Sequence, residues 1–165
     1  MKKFFFLLAC LVLTFSAGCE EPVEEGTLYT SEDIFLDCIK TDYGEPLPSK
    51  IIVIENEEQL NSALEQYVQL IKLPRFEEIM TNYPIDENVY VVHFIQTRYA
   101  SQTVSCDGIM VDKQNGRIWF KCKLRKKKTD TFGVVAGYIA YAVFPKEELE
   151  GCDFSKQGGV IYPGN

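Results

Sequence analysis

The N-terminal segment constrains this chain most, because it separates residues that are removed after export from residues that fold. Two lysines at positions 2 and 3 precede an apolar run over residues 4–15, and the small residues Ser16, Ala17 and Gly18 follow. A basic start, an apolar stretch and small residues before a cleavage point are the features of a secretory signal peptide. The apolar run is too short for the ~20 residues of a membrane-spanning helix. We therefore expect residues 1–18 to direct export and to be removed.

The predicted cleavage point ends at a cysteine, and Ala17-Gly18-Cys19 resembles the lipobox of bacterial lipoproteins, with Ser16 where that family usually has Leu. The resemblance implies that Cys19 is acylated, carries palmitate-type chains and becomes the mature N-terminus. Several acyl chains on one residue hold a protein firmly to a membrane. The residue after Cys19 is Glu20, which by lipoprotein sorting rules implies the outer membrane, on either its periplasmic or its surface face. A secreted protein with a spare thiol at Cys19 is the alternative.

An acidic segment follows the predicted anchor. Residues 19–30 hold glutamates at positions 20, 21, 24 and 25 together with Pro22 and Gly26. Like charges repel one another and extend a chain, so we expect residues 19–30 to form a tether. The tether would hold the following domain away from an anionic membrane surface.

Length and charge limit the domain number and the partners. Removal of residues 1–18 from the 165-residue chain leaves 147 residues, with 15 basic side chains against 24 acidic ones and a net charge of −9. This length fits one domain, which we place at residues 31–165. A nucleic-acid partner is not expected, because neutralising phosphates needs a basic surface.

Four cysteines lie in the predicted domain: Cys38, Cys106, Cys122 and Cys152. An even number of cysteines in an exported domain predicts disulfides, here two. Asn115-Gly116 predicts a hairpin with a two-residue loop, which would place Cys106 opposite Arg125 and Cys122 opposite Ile109. Cys106 and Cys122 would then point to opposite faces of the sheet unless a bulge shifts the register. That parity slightly favours a pairing of Cys38 with Cys152 and leaves the other pairings open.

The order of hydrophobic patterns predicts an α+β fold with a mostly antiparallel sheet and one principal helix packed on it. Asn56 followed by Gln59 is a capping-box pattern, so a helix should begin there and end before Pro74. Residues 88–95 are apolar on both strand faces, as in a central strand covered by a helix. The predicted strands are 33–40, 50–54, 88–95, 102–112, 117–126 and 137–144, and a second short helix is predicted at 76–83.

Two segments carry a resemblance to a known family: Tyr83-Pro84-Ile85-Asp86-Glu87-Asn88-Val89-Tyr90-Val91-Val92-His93-Phe94, and the terminal strand Gly137-Tyr138-Ile139-Ala140-Tyr141-Ala142-Val143-Phe144-Pro145-Lys146. With the order of elements, they resemble the C-terminal domain of the accessory lipoprotein of dentilisin-type protease complexes over residues 50–147. That family often has a Gly-Gly-Tyr loop after the central strand, where this chain has residues 97–102. The resemblance implies a non-catalytic lipoprotein domain that stabilises an envelope protein partner.

Few residues offer catalytic chemistry. His93 is the only histidine and lies within an apolar strand, where a core histidine is the expected role. Cys106 would need a lowered pKa and freedom from a disulfide to act as a nucleophile. Paired carboxylates at Asp107 and Asp112, or among residues 147–150, are more typical of solvated surface than of glycoside chemistry. No phosphate loop, calcium loop or zinc motif is present in the sequence, so we expect no catalytic residue, no cofactor and no metal.

A basic stripe with an aromatic residue is the strongest candidate for a binding site. Alternate positions of the strand at 117–126 place four side chains on one face: Trp119, Lys121, Lys123 and Arg125. Lys126, Lys127 and Lys128 extend the charge. Such a stripe in an acidic chain can bind carboxylates, phosphates or an acidic protein surface. The plainer interpretation is the solvent face of an amphipathic strand.

These features predict a non-enzymatic envelope lipoprotein, anchored to the membrane through Cys19, whose sheet face binds a protein partner or an anionic envelope polymer such as a glycan. The alternative is a lipoprotein that binds a small ligand or a glycan through the aromatic residues Tyr99, Trp119, Tyr138 and Tyr141.

Substitution of the predicted lipid attachment site should separate anchoring from folding. We expect Cys19→Ala to lose acylation and to release the folded domain from membranes, because Cys19 lies before the domain. Cys10→Ala is the matched control, since it removes a thiol from the signal peptide and should stay membrane-bound. Sedimentation of lysed envelopes and mass spectrometry of the mature N-terminus measure both outcomes. Native mature protein with an unmodified Cys19 would contradict the anchor.

Overall fold

The structure is a computed structural model that describes residues 26–41, 50–67, 70, 75–97, 102–125, 136–152, 154 and 160–161. The predicted signal peptide, Cys19 and the acidic part of the tether lie outside the described residues, as do Tyr99 and residues 126–128. No helix among the described ranges is long and apolar enough to cross a membrane.

The described chain forms two four-stranded sheets with helices on one of them. Sheet A has the strand order β1-β5-β6-β8, and sheet B has the order β2-β7-β4-β3. All pairings are antiparallel except that of β6 with β8. The strands are β1 (Thr27–Tyr29), β2 (Phe35–Thr41), β3 (Ile51–Ile54), β4 (Asn88–Thr97), β5 (Thr103–Asp112), β6 (Arg117–Arg125), β7 (Ala136–Pro145) and β8 (Val160–Ile161), and the helices are α1 (Glu57–Gln66), α2 (Phe76–Asn82) and a 3-10 helix at Lys146–Leu149.

The centre of the fold is the ten-residue pairing of β4 with β7, from Asn88 opposite Pro145 to Thr97 opposite Ala136. Both strands are buried on both faces over most of their length. On β7 the face toward sheet A carries small residues at Ala140 and Ala142, each 0% exposed. Small side chains in the middle of this face leave room for larger ones from sheet A. Continuous burial explains why these two strands are almost uniformly apolar.

The core between the two sheets combines the inward faces of β4 and β7 with those of β5 and β6. Sheet A contributes large apolar side chains, including Ile109, Ile118 and Phe120, which are at most 1% exposed. Tyr29 of β1 closes one end, with its ring edge-to-face against Phe144 at 5.1 Å between centroids. The packing of two facing sheets therefore accounts for one of the two hydrophobic cores.

The second core lies between the other face of sheet B and the helices. Leu60, Ala63 and Tyr67 are buried on this side, and Tyr67 packs on Phe94 of β4 with ring centroids 5.0 Å apart. Leu60, Ala63 and Tyr67 recur at helical spacing, which places them on one side of the helix, and Leu64 on the same side is partly buried.

The predicted cap at Asn56 is present, although the Gln59 side chain binds the N–H of Glu55 and not that of the cap residue. The backbone N–H of Gln59 donates to Asn56 Oδ1 at 2.9 Å, and Gln59 Oε1 accepts from the N–H of Glu55 at 2.7 Å. These bonds satisfy N–H groups at a helix start that otherwise have no partner within the helix. The cap fixes where α1 begins after the strand β3.

The predicted fold class, α+β with mostly antiparallel strands and a principal helix on a sheet, is confirmed. The prediction did not separate the strands into two sheets. It also missed β1, because Thr27–Tyr29 fall within the segment assigned to the tether, where they pair with Ile109, Met110 and Val111 of β5. The adjacent glutamates dominate the composition of that segment and conceal a three-residue strand.

The predicted register of the β5–β6 hairpin was wrong. Asp112 lies opposite Arg117, so the loop contains the four residues 113–116 rather than two. Gly116 adopts a positive φ of 62°, and both the N–H and the side-chain amide of Asn115 donate to the carboxylate of Asp112, at 3.0 and 2.7 Å. Because Asp112 binds Asn115, β5 ends two residues earlier than a two-residue loop at Asn115-Gly116 predicts. The Asn-Gly pair alone does not reveal this change.

We expect Asn56→Ala to lower the free energy of unfolding by about 1 kcal/mol, because the N–H of Gln59 loses its acceptor. Asn61→Ala is the matched control: the same change at an exposed position inside α1 removes no cap and slightly favours the helix. Urea unfolding measured by circular dichroism compares the two variants. Equal destabilisation by both variants would contradict the role of the cap.

Candidate functional site

The outer face of sheet A, the side turned away from sheet B, carries the predicted basic stripe. Along β6 the even positions from Ile118 to Leu124 point into the core, so the odd positions point outward. Trp119 and Lys121 are partly exposed, and Lys123 and Arg125 are exposed, on one face as the alternation predicted. Arg117 begins the strand on the same side.

An apolar row crosses this face from strand to strand. Trp119 of β6 lies opposite Met110 of β5, and Met110 lies opposite Leu28 of β1. Met110 is only 4% exposed between its two neighbours. Leu28 is 47% exposed, and within the described ranges it is the one exposed large hydrophobic residue. The sequence predicts Trp119 on this face but not the row, because Leu28 belongs to a strand that was not predicted and Met110 to an apolar segment typical of buried residues.

Gly108 permits the close approach of β1 to β5. A Cβ atom at this position would come within 2.8 Å of Leu28 Cδ1 and 2.9 Å of the Tyr29 carbonyl oxygen. The leucine side chain therefore lies over the glycine, which places Leu28 beside the basic stripe. Any larger residue at position 108 would displace the edge strand.

Carboxylates partly neutralise the positive charge. Lys123 Nζ forms an ion pair with Asp107, whose side chain comes from a bulge in β5. Arg117 lies near Asp112, and hydrogen bonds from Asn115 hold the pKa of the Asp112 carboxyl below its usual value. Asp107 thus forms an ion pair, and Asp112 stabilises a turn. The structure does not place the two carboxylates as an acid–base pair.

His93 lies in the core between the sheets, as expected. Its ring stacks on Phe120 with centroids 6.1 Å apart, and it is 4% exposed. One ring nitrogen donates to the backbone carbonyl of Lys50, and Nδ1 has no hydrogen-bond partner, so the donor is Nε2. Burial lowers the pKa of His93 to about 4, and the bond to Lys50 only partly opposes this shift. The imidazole is neutral at pH 7.

The favoured pairing of Cys38 with Cys152 does not match the positions of the four domain cysteines. Cys106 Sγ lies 2.8 Å from Cys122 Sγ, and Cys38 Sγ lies 3.8 Å from the carbonyl oxygen of Val104, two residues before Cys106. Cys152 follows the 3-10 helix, with its N–H donating to Leu149, and lies near Tyr29 and Lys113. The structure therefore brings Cys38 to Cys106 and not to Cys152.

The aromatic residues proposed for ligand binding are not assembled into one site. Tyr138 is 3% exposed between the sheets, and its hydroxyl donates to the Gln102 carbonyl at 2.7 Å. Tyr141 is buried on the opposite face of β7, with its hydroxyl donating to Asp37 at 3.3 Å. Trp119 lies on the outer face of sheet A, and Tyr99 lies outside the described residues.

Two open clefts of the described chain lack a cluster of catalytic groups. One of about 410 Å³ is lined by acidic residues of the 3-10 helix and by Cys152, and one of about 480 Å³ lies between residues 31–36 and Tyr83. Within the described ranges, no three His, Cys, Asp or Glu side chains are placed to hold a metal ion. We therefore take the outer face of sheet A, which carries the basic stripe and the apolar row, as the candidate site.

Comparison with known proteins adds no relative: no family model, no curated protein and no solved structure matches this chain. The candidate site therefore rests on its own geometry and charge.

The buried histidine should make stability depend on pH. The pKa of His93 is about 4 when folded and about 6.5 when unfolded, so between these values the unfolded chain binds a proton that the folded chain does not. Stability from this group is full above pH 6.5 and is lost as the pH falls toward 4, by about 3 kcal/mol in total.

NMR titration of the untagged protein measures this pKa directly, because the chain contains a single histidine. We expect a value below 5. A His93→Gln variant that folds should show a shallower loss of unfolding free energy between pH 7 and pH 4.5 than the wild type. An imidazole that titrates near pH 6.5 in the folded protein would contradict the buried environment.

Proposed function

We propose that this protein is a non-enzymatic, lipid-anchored envelope protein that binds a protein partner through the outer face of sheet A. One observation carries the proposal: the apolar row of Leu28, Met110 and Trp119 lies beside a basic stripe on the sheet face that no described helix covers. Sheet B has no comparable face, because one side packs on sheet A and the other on the helices.

The chemistry of the face favours a protein with an acidic rim around an apolar centre. Trp, Met and Arg are enriched in protein interfaces, where a central apolar contact is surrounded by polar groups. An anionic polymer would complement the cations and leave Leu28 and Trp119 without apolar contacts. We therefore place an anionic envelope polymer second.

The local charge supports an acidic partner although the mature chain is acidic overall. Among the described residues this face carries four cations, at Arg117, Lys121, Lys123 and Arg125, against the carboxylates of Asp107 and Asp112. A concentration of one sign in a chain of opposite net charge steers a complementary partner to that face.

The predicted anchor would keep this face near the membrane. Thr27, the first residue of β1, follows Cys19 by eight positions, and eight residues span at most about 28 Å when fully extended. An acylated Cys19 would thus hold the edge of sheet A within that distance of the lipid surface. A membrane-associated partner in the outer membrane envelope would lie within reach.

Binding of a small ligand or glycan is the alternative function. Of the aromatic residues that suggested it, Tyr138 and Tyr141 are buried on opposite faces of β7, so Trp119 alone of the described ones is available at the surface. A single partly exposed tryptophan favours a protein interface over a stacking platform for sugars.

Charge reversal on the basic stripe tests the proposed interface. We expect Lys121→Glu combined with Lys123→Glu to weaken partner binding by at least about tenfold, because repulsion replaces attraction across the interface. The wild-type affinity should also fall between low and physiological salt as exposed charges are screened. The partner is first captured by cross-linking in native envelopes, purified, and then measured by titration calorimetry.

A matched control is Lys40→Glu combined with Lys113→Glu, which reverses two exposed lysines away from the stripe and should bind as the wild type does. The free energy of unfolding of both double variants should lie within about 0.5 kcal/mol of the wild-type value, as is usual for surface substitutions. Equal binding by stripe and control variants would overturn the interface. Retention of an acidic polysaccharide by the wild type, without any captured protein, would support the second candidate.

A further inference from the structure

Three cysteines lie near one another at one edge of the space between the two sheets. Cys38 comes from β2 of sheet B, and Cys106 and Cys122 come from β5 and β6 of sheet A. Cα atoms of β2 and β5 approach within 8 Å here, closer than the ~10 Å usual between packed sheets. Cys106 is central, because its Sγ lies 2.8 Å from that of Cys122 and the Cys38 thiol lies beside the same strand, 3.8 Å from the Val104 carbonyl oxygen.

A bulge in β5 places Cys106 beside Cys122. Gly108 lies opposite Lys121 and Cys106 lies opposite Cys122, so Asp107 is an extra residue with no β6 residue directly opposite it in the register. Without the extra residue, strand alternation would turn Cys106 and Cys122 to opposite faces. With it, both thiols point inward.

The geometry across β5 and β6 fits a disulfide. Directly opposed residues of antiparallel strands have Cα atoms about 4.5–5.5 Å apart, within the 4.4–6.8 Å range of disulfides. The Sγ atoms of Cys106 and Cys122 are 2.8 Å apart, so a small rotation of the side chains closes the remaining gap to a bond of about 2.05 Å.

The third thiol differs from this pair in its contacts and exposure. Cys38 is partly exposed on the edge strand β2, and its thiol donates to the Val104 carbonyl at 3.8 Å, whereas Cys122 is fully buried. Hydrogen bonding within the cluster, first to Cys122, and burial raise the pKa of the Cys106 thiol. The residues Cys38 and Cys106 are partly exposed, whereas Cys122 is 0% exposed.

We infer that Cys106 and Cys122 form a cross-strand disulfide across the β5 bulge, and that Cys38 is a neighbouring thiol able to exchange with it. The alternative bond, between Cys38 and Cys106, would join sheet B to sheet A instead of joining two strands of sheet A. Cys106 is the sulfur shared by the two bonds. Cys152 takes part in neither.

The oxidant is a small-molecule disulfide, which accepts the two electrons. Cys106 and Cys122 give up two electrons and two protons as their S–S bond forms, and the disulfide of the oxidant breaks to give two thiols. In the exchange, the Cys38 thiolate attacks Cys106, the Cys38–Cys106 bond forms, and Cys122 leaves as a thiolate that takes up the proton lost by Cys38.

Peptide mapping tests the pairing, because each of the four cysteines falls in a separate tryptic peptide: 19–40, 99–113, 122–123 and 147–156. The mature protein is oxidised with glutathione disulfide, alkylated in denaturant and digested without reduction. We expect peptide 99–113 linked to peptide 122–123, with alkyl groups on Cys38 and Cys152. A link between Cys38 and Cys152, or four alkylated cysteines, would overturn the inference.

Variants test the exchange. In Cys122→Ser the link should move to Cys38 and Cys106, whereas Cys38→Ser and the matched control Cys152→Ser should both keep the link between Cys106 and Cys122. Failure of Cys122→Ser to form the new link while remaining folded would remove Cys38 from the proposal.

Melting of the wild type gives a second readout that needs no variant. Closing a loop between residues 16 positions apart should raise the melting temperature of the oxidised protein by roughly 5–10 °C over the reduced protein. Equal melting temperatures in the two states would count against the inferred link, because closing this loop lowers the entropy of the unfolded chain.

Discussion

The pairing of β4 with β7 is the constraint on which the rest of the structure depends. Ten residues of each strand pair, and both strands are buried on both faces, so each face must be covered by another layer. Sheet A covers one face and the helices cover the other. Sheet A is thereby left with one face outside the core, and this face carries the candidate site. The position of the site follows from the way the central strands are buried.

The parts of the fold that depend on local patterns could be predicted from the sequence. The helix cap at Asn56 and the apolar character of β4 each depend on a few neighbouring residues, and the structure shows both. The hairpin register could not be predicted, because it depends on Asp112 binding Asn115 and on one unpaired residue at position 107. A bulge has no reliable sequence signature, yet it reverses the face of every residue beyond it.

The candidate site was predictable only along one strand. Alternation in β6 correctly places Trp119, Lys121, Lys123 and Arg125 on a common face, since the bulge lies in β5 and adds no residue to β6. The apolar row needs neighbours from other strands, and these depend on register and on β1, whose residues follow the acidic segment. Contacts between strands are long-range in sequence, so no local pattern reveals Leu28 beside Met110.

The bulge connects the two surfaces on which the proposals rest. Its extra residue, Asp107, is directed outward and pairs with Lys123 in the basic stripe, while the adjacent Cys106 is directed inward against Cys122. A covalent bond on the inner side would fix the bulge, and a fixed bulge would hold the carboxylate of Asp107 against Lys123. Loss of the bulge would turn Cys106 outward and would at the same time move Asp107 away from Lys123. The thiol cluster and the charge pattern of the outer face are therefore consequences of the same inserted residue.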